Sequence, residues 1–391
     1  MKSSRLHFPE RIAIIGLGVI GGSLGLAIKQ YRPKIHVIGF DSPKVMDRAR
    51  KRGAVDVSAA TLKQAVENAD VVFLCMPISS ILSLLPRIAR FVPSHAIVTD
   101  VGSVKEVVQS QAEKFFKTKE IPRKPDQLRR SPLRPMAEFI GGHPMAGSEG
   151  SGIEYADALL FQNAVYVLCP LNKKNAAAKK LASLVRSIGA RVLVMGAEEH
   201  DRVAATISHL PQLLAVAMMN LTGQKNKSNP AFLQLAAGGF RDMTRIASSP
   251  FPMWNDILRY NRSQIAFVLK EMAAQLRVMN SDLFQQKPVH MQQRFRSAKS
   301  LRDAIPKSTK GFLHPLHDMY VWVEDTPGAL SRITTALFRA GINIHDIELL
   351  KIREGEVGTF RFSFDSADDA RKAKRALLKT LKLKVQWSHI T

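Results

Sequence analysis

The chain has 391 residues, 46% of them hydrophobic, with a net charge of +24 and two cysteines. That length exceeds one ordinary core and points to two or three domains, while no run approaches the ~18 consecutive apolar residues of a membrane span. Cys75 and Cys169 sit inside apolar runs and lack metal-ligand spacing, and no signal-type segment follows Met1-Lys2-Ser3-Ser4-Arg5, so reduced buried thiols, a cytoplasmic setting and no metal are expected.

Arg11–Ile15 is a short β-branched run followed at once by Gly16-Leu17-Gly18-Val19-Ile20-Gly21, after which Ser23–Gln30 reads as a helix. This is G-x-G-x-x-G in its strand–turn–helix setting. Gly16 permits the tight turn, Gly18 lets a pyrophosphate approach the backbone, and Gly21 lets helix and strand pack. The helix start, with Val19 and Ile20, offers free N–H groups to phosphates. A second strand, Ile35–Phe40, ends in Asp41, where a carboxylate suits ribose hydroxyls and repels a 2′-phosphate. Gly39–Pro43 contains no arginine, so NAD is expected rather than NADP.

Helix Pro43–Arg52, strand Asp70–Met76, helix Ser80–Phe91 and strand Ala96–Val101 continue the alternation of a doubly wound α/β sheet. Ligands bind such sheets beyond the carboxyl ends of the strands, which directs Pro77, Ser79, Ser103 and Lys105 toward the cofactor crevice. Ser103 also suits the N-cap of Val104–Phe116, with Glu106 three positions on. Lys114–Ala137 then carries eight Lys/Arg against two acids and reads as a basic surface insertion, chiefly 117–135.

Gly141-Gly142-His143-Pro144-Met145-Ala146-Gly147-Ser148-Glu149-Gly150-Ser151-Gly152 holds five glycines in twelve residues. Glycine has no side chain to bury and costs backbone entropy, so the run reads as main chain passing close to a ligand, not as core. His143, held by the fixed φ of Pro144, has an ordinary pKa near neutrality and suits proton transfer.

Strand Ala164–Cys169, helix Lys173–Ile188 and strand Arg191–Met195 follow, and beyond Gly196 the strand pattern stops. Glu198–Gly223 and Trp254–Leu283 read as long helices, the second with an apolar stripe suited to core or dimer packing. Pro211, within Ser208-His209-Leu210-Pro211-Gln212, kinks the first and turns Ser208 and Gln212 toward a cleft. Between them, Gly238–Arg245 puts Arg241 and Arg245 four apart on one helical face, suited to forking a carboxylate. Gln286–Leu316 carries seven Lys/Arg against one acid and reads as a basic linker. This linker and the insertion hold half the net charge without an aromatic-interleaved basic motif, so no nucleic-acid partner is expected. In the tail, strand Tyr320–Val323, helix Pro327–Ala340, strands Ile342–Leu349 and Gly358–Phe364, helix Ser366–Leu381 and strand Lys384–Trp387 give the ferredoxin-like order β-α-β-β-α-β. That unit has no histidine–acid pair in a catalytic setting, and a regulatory or interaction role is expected.

Together the glycine fingerprint, Asp100–Lys105, His143–Gly152, Ser208–Pro211 and Gly238–Arg245 resemble prephenate dehydrogenase, the NAD-dependent oxidoreductase family of tyrosine biosynthesis. The resemblance runs from roughly Arg11 to Leu283. The tail, with Val323-Glu324-Asp325-Thr326-Pro327-Gly328-Ala329-Leu330 and Gly341-Ile342-Asn343-Ile344, resembles an ACT domain, a small amino-acid-sensing module. What the resemblance implies is a Rossmann-type NAD domain over 1–196, an all-α substrate and dimerisation domain over 197–285, a linker over 286–316 and an ACT domain over 317–391. A cytoplasmic homodimer, away from membranes, is implied with them.

The same resemblance implies roles. His143 would accept the hydroxyl proton of prephenate as hydride and CO₂ leave to give 4-hydroxyphenylpyruvate. Ser103 would bond both His143 and that hydroxyl, and Arg245, helped by Arg241, would bind a substrate carboxylate. Ser208, Gln212, His200, Ser148 and Trp254 would complete the pocket, with Glu149 and Asp242 near its entrance. Family members commonly read His-Leu-Pro-His where this chain has Gln212. An amide both donates and accepts hydrogen bonds, so an arogenate or dual-specificity cyclohexadienyl dehydrogenase is the alternative. The ACT resemblance places L-tyrosine as feedback inhibitor beside Asp325, Gly328 and Asn343.

Overall fold

A computed structural model describes residues 8–116, 137–147, 150–171, 176–305, 317–324, 326–351, 358–381 and 383–387. The basic insertion 117–135, Ser148, Glu149 and Asp325 lie outside the described residues. The chain divides into two units, Met1–Gln292 and Gln293–Thr391.

The first unit begins β1 (Arg11–Ile15), α1 (Val19–Tyr31), β2 (His36–Phe40), α2 (Pro43–Lys51), β3 (Val57–Ser58), α3 (Leu62–Val66), β4 (Val71–Leu74) and α4 (Ile78–Phe91). It continues β5 (Ile97–Asp100), α5 (Glu106–Phe116), β6 (Glu138–Pro144), β7 (Val165–Pro170), α6 (Ala176–Ser187) and β8 (Arg191–Val194). One sheet results, of order β3-β2-β1-β4-β5-β6-β7-β8, parallel throughout except for the β6–β7 pair. Successive side chains of a strand point to opposite faces. Ile12 and Ile14 therefore pack with Leu24 and Ile28 of α1 and Leu181 and Val185 of α6. Ala13 and Ile15 pack instead with Ile81 and Leu85 of α4 and Val108 and Ala112 of α5. Burial on both faces is why these strands read as unbroken apolar runs. Of these elements β3 and α3 went unforeseen, two and five residues being too short to carry a pattern.

β6 corrects the reading of the second glycine run. Gly141, Gly142 and His143 are strand residues, and all three are buried. A Cβ on Gly142 would lie 2.5 Å from the Asp100 carbonyl oxygen and 2.9 Å from Thr99 Oγ1. The close neighbour that demands glycine there is the protein's own strand β5.

Beyond the sheet, α7 (Ala197–Ala204) passes through a π turn (Ala205–His209) into α8 (Leu210–Asn226). The expected kink at Pro211 takes this form: the Leu210 N–H reaches back to the Ala205 carbonyl, just ahead of the proline that has no N–H to give. The run 197–226 is, by length and composition, long and apolar enough to cross a membrane, which the sequence reading did not anticipate. It nevertheless buries His200, Asp201, His209 and Gln212 against protein. Next come α9 (Ala231–Gln234), α10 (Gly238–Thr244), a 3₁₀ turn (Arg245–Ser248), α11 (Phe251–Tyr260) and α12 (Arg262–Phe284). The single helix expected over Trp254–Leu283 is thus broken at Asn261, whose side chain is committed elsewhere. Its apolar stripe is only partly used: Ile257, Ile265 and Val268 join Ala205 and Leu210 in a small core, whereas Leu269, Leu276 and Leu283 stay exposed, as do Phe267 and Phe284 beside them. The expected linker contains a further helix, α13 (Pro288–Ala304), with no buried residue. Without a buried face it carries no periodicity from which a helix could be read.

In the second unit β9 (His317–Val323), α14 (Ala329–Arg339), β10 (Asp346–Lys351), β11 (Gly358–Phe364), α15 (Ala367–Leu381) and β12 (Lys384–Trp387) build the antiparallel sheet β10-β11-β9-β12. Ile333 and Leu337 of α14 and Ala373 and Leu377 of α15 pack with Val321 and Phe362. This is the ferredoxin-like arrangement. α14 starts at Ala329, not Pro327, because Gly328 adopts the left-handed conformation at φ +79°. β10 starts four residues later than expected: Gly341, at φ +69°, turns the chain and Ile342 enters the core.

Candidate active site

The first glycine run divides its labour. Gly16 has φ +92°, and a Cβ there would stand 2.3 Å from the Cys75 carbonyl oxygen. At Gly21 a Cβ would stand 1.9 Å from the Gly16 carbonyl oxygen, while at Gly18 it would meet nothing within 4 Å. Two glycines fold the turn and the third leaves the N-terminus of α1, with Val19 and Ile20, open to an anion. The Asp41 carboxylate stands beside this turn, accepting from the Leu17 N–H at 2.7 Å and the Ser42 N–H at 2.6 Å. Pro77 and Ser79 are exposed at the start of α4, where the Ser79 N–H donates to Asp256 Oδ2 at 2.8 Å. An open phosphate approach and a carboxylate at the end of β2 fit a dinucleotide.

His143 ends β6 at the same edge of the sheet and is 9% exposed. Its Nδ1 lies 2.8 Å from His200 Nε2, the rings meeting edge to face. His200 Nδ1 lies 2.7 Å from Asp201 Oδ1. The Asp201 carboxylate also accepts the backbone N–H groups of Lys105, at 2.7 Å, and Glu106, at 2.9 Å, and so ties α7 to the start of α5. Asn261 donates to the Asp201 carbonyl at 2.8 Å and sits 3.2 Å from His209 Nδ1. His209 in turn meets the Trp254 ring edge-on. Burial holds His143 well below the usual imidazole range, and nearby His200, Lys105 and His209 push the same way. Burial likewise brings His209 down to about 4. Both rings are therefore neutral at pH 7.

Lys105 does not face the crevice as expected. It is 1% exposed, its ammonium paired with the buried Asp100 carboxylate and donating to the Gly142 carbonyl at 2.7 Å. Asp100 also accepts from the N–H groups of Gly102, at 2.9 Å, and Gly142, at 3.1 Å. A buried carboxylate needs a counter-charge, and this one draws the lysine inward. The pair clamps the backbone adjoining His143.

His200, expected in the pocket, stands behind His143 at 2% exposure. Ser103 is half-buried in the turn after β5, and no hydrogen bond joins it to His143 among the described residues. Gln212 is buried, and Ser208 and Trp254 are half-buried. The Trp254 indole N–H is buried with no partner among the described residues. Arg241 and Arg245 are exposed, and α10 ends at Thr244, so they do not share one continuous helical face. Arg241 Nε donates to the Ala236 carbonyl at 3.1 Å. Asp242 is exposed. In the second unit Gly328 and Asn343 are exposed, with Asn343 Nδ2 3.4 Å from His345 Nε2. Sequence reasoning gave no role to Asp201, His209 or Asn261. The acidic start of α7, Glu198-Glu199-His200-Asp201, was the available signal, since an aspartate beside a histidine can orient it.

Three family models match the chain. The prephenate dehydrogenase nucleotide-binding domain covers residues 24–125 and 127–194, the prephenate dehydrogenase dimerization domain 196–297, and the ACT domain 317–380. A prephenate dehydrogenase of Bacillus subtilis is 35% identical over 371 residues, covering 94% of this chain and 95% of the relative. A cyclohexadienyl dehydrogenase of Zymomonas mobilis is 32% identical over 299 residues, covering 76% and 96%. Among solved structures, the prephenate dehydrogenase of Aquifex aeolicus in complex with hydroxyphenyl propionate and NAD⁺ is similar, with a TM-score of 0.65 and 25% identity over 76% of this chain and 98% of that one.

Proposed function

This chain belongs to the prephenate dehydrogenase family and is an oxidoreductase; from that premise we propose that it carries out the NAD-dependent oxidative decarboxylation of prephenate to 4-hydroxyphenylpyruvate. The observation that carries the reading is His143: a neutral imidazole at the carboxyl edge of the sheet, with Nδ1 engaged by His200 and Nε2 left for a substrate. The Gly16–Gly21 turn and the start of α1 hold the pyrophosphate, and Asp41 takes the ribose hydroxyls and disfavours a 2′-phosphate. NAD, when bound, supplies the hydride acceptor.

His143 Nε2 takes the proton of the ring hydroxyl as hydride leaves the same carbon, so the O–H pair becomes the carbonyl bond. The pair released with CO₂ flows back to that oxygen, and His143 returns the proton to it. The ring is then aromatic and the histidine neutral again. Ser103 holds the hydroxyl. Arg245, with Arg241, neutralises a substrate carboxylate, and Ser208, Gln212, Ser148 and Trp254 shape the rest of the pocket. The exposed apolar residues Phe267, Leu276 and Phe284 suit burial against a second copy, in keeping with the matched dimerization model. The domains run 1–196, 197–285, 286–316 and 317–391, in a cytoplasmic enzyme. The ACT domain binds L-tyrosine and lowers activity.

One observation favours a second reading. Gln212 replaces the histidine common in the family, and an amide tolerates the ammonium of arogenate as well as a keto group. The test is NADH formation by the pure protein with prephenate and then with arogenate. A rate with prephenate alone supports the first reading, and comparable kcat/KM values support dual specificity. No NADH from either removes both. Truncation after about Phe284 separates ACT control from competition: a truncated, active enzyme as sensitive to tyrosine as the full chain removes the tail as sensor.

A further inference from the structure

The two residues behind His143 carry an inference that rests on the reading of His143 as proton acceptor. An ionised carboxylate can only accept hydrogen bonds. Asp201 accepts two backbone N–H groups, and the oxygen shared with Lys105 N–H also faces His200 Nδ1 at 2.7 Å. His200 therefore carries its proton on Nδ1 and a lone pair on Nε2. That lone pair lies 2.8 Å from His143 Nδ1, so His143 must donate there. A neutral imidazole with its proton on Nδ1 has its one free lone pair on Nε2.

We propose that His200 and Asp201 form a tautomer lock, acting on the reaction through His143 by holding its basic nitrogen at Nε2, toward the substrate. They are positioning residues and touch no reacting atom. The other titratable groups around His143 and this pair are Lys105, joined to Asp100, from the β5–α5 connection, His209 from the π turn and Cys169 from β7. Lys105 is a fixed cation that acts on His143, so a second proton on that ring is opposed, and its single-proton tautomers are the ones the lock sorts.

The test compares full-length wild type, Asp201→Asn and His200→Leu. Asparagine turned with its oxygen on the Glu106 N–H gives up the Lys105 N–H contact and offers an N–H₂ toward His200 Nδ1, which moves that ring's proton to Nε2, makes it the donor to His143, and leaves the His143 proton on Nε2. The expected result is a fall in kcat of roughly 10²–10⁴-fold, the range in which a misplaced imidazole tautomer disables a base, with KM for NAD unchanged. Long-range ¹H–¹⁵N spectra, assigned by loss of the His143 signals in His143→Asn, read the tautomer directly. Wild type should have His143 protonated on Nδ1 and Asp201→Asn on Nε2. His200→Leu keeps the bulk but removes the acceptor, and should give both His143 tautomers together with a lower kcat. It carries the same test if Asp201→Asn does not fold. Unchanged tautomers, or a kcat within threefold of wild type in a folded variant, overturn the lock. Full activity in His143→Asn would instead remove the reading of His143 as base, while the spectra still decide whether the lock exists.

Discussion

At Gly18 a Cβ would meet nothing within 4 Å, whereas at Gly142 it would lie 2.5 Å from the Asp100 carbonyl oxygen. The two glycine runs end at the same edge of one sheet, yet Gly18 keeps space free and Gly142 lets the protein fill it. In the first, order along the chain tells the roles apart, because a turn, an open approach and a helix contact come at fixed offsets. In the second, glycine density announces a close approach without saying to what. Gly142 brings β6 onto β5, and that contact sets His143 over the Asp100–Lys105 clamp. An open turn and a close strand contact beside His143 thus come from the same residue type through opposite use of a missing methyl group.

The two runs should respond differently to substitution, most of all at His143. His143→Asn removes the group that the second run exists to present, and kcat should fall roughly 10²–10⁴-fold while the Kd for NAD, read by protein fluorescence, stays put. A parallel loss of NAD binding would merge the two runs into one site element. Gly142→Ala and Gly18→Ala set the runs against each other directly. The first forces a methyl group onto backbone and should cost about 3 kcal/mol in urea unfolding. The second should leave the unfolding midpoint unchanged and raise only the Kd for NAD. Equal destabilisation by both would end the distinction.

Arg245→Ala sharpens the proton side of the comparison. Losing a charge-assisted contact to a carboxylate, worth about 1.5–3 kcal/mol, should raise KM for prephenate some 10- to 100-fold and leave KM for NAD alone. A weaker grip on NAD would move the arginine to the other half. The smallest effect is in pH. His143 and His209 are held below the unfolded imidazole value, so the stability they contribute is full above about pH 6.5 and is lost as pH falls through their folded values, about 4 for His209. Unfolding free energies from urea titrations between pH 7 and 5 should decline, His209 approaching a slope of about 1.4 kcal/mol per pH unit only well below pH 6.5. His209→Asn should flatten the slope.

Legibility followed the same division. The fingerprint, Asp41 and the alternating strands could be read because each depends on neighbours within a few residues, as could the ferredoxin-like tail. Lys105 was misplaced because its partner Asp100 claims it from inside, and a lysine beyond a strand end looks the same whether it turns in or out. His200 and Asp201 reach His143 across 57 residues of chain, a distance over which no local pattern carries information. The break at Asn261 has the same origin: its side chain serves Asp201, sixty positions earlier. α13 escaped notice because it buries nothing. Where a residue's role is fixed by a partner distant in sequence, only the folded chain reveals it.

The π turn at Ala205–His209 makes the length of this helical run a quantity on which chemistry depends. It holds one residue more than a regular helix needs, and the wide turn absorbs that surplus, so α7 and α8 keep the phase of an uninterrupted helix. Removing the surplus residue should leave a regular helix with His200 and Asp201 still aligned on His143. Removing a second residue should swing α7 about 100° around its axis relative to α8 and rotate both off His143. The first one-codon deletion in this turn should therefore be mild and the second severe.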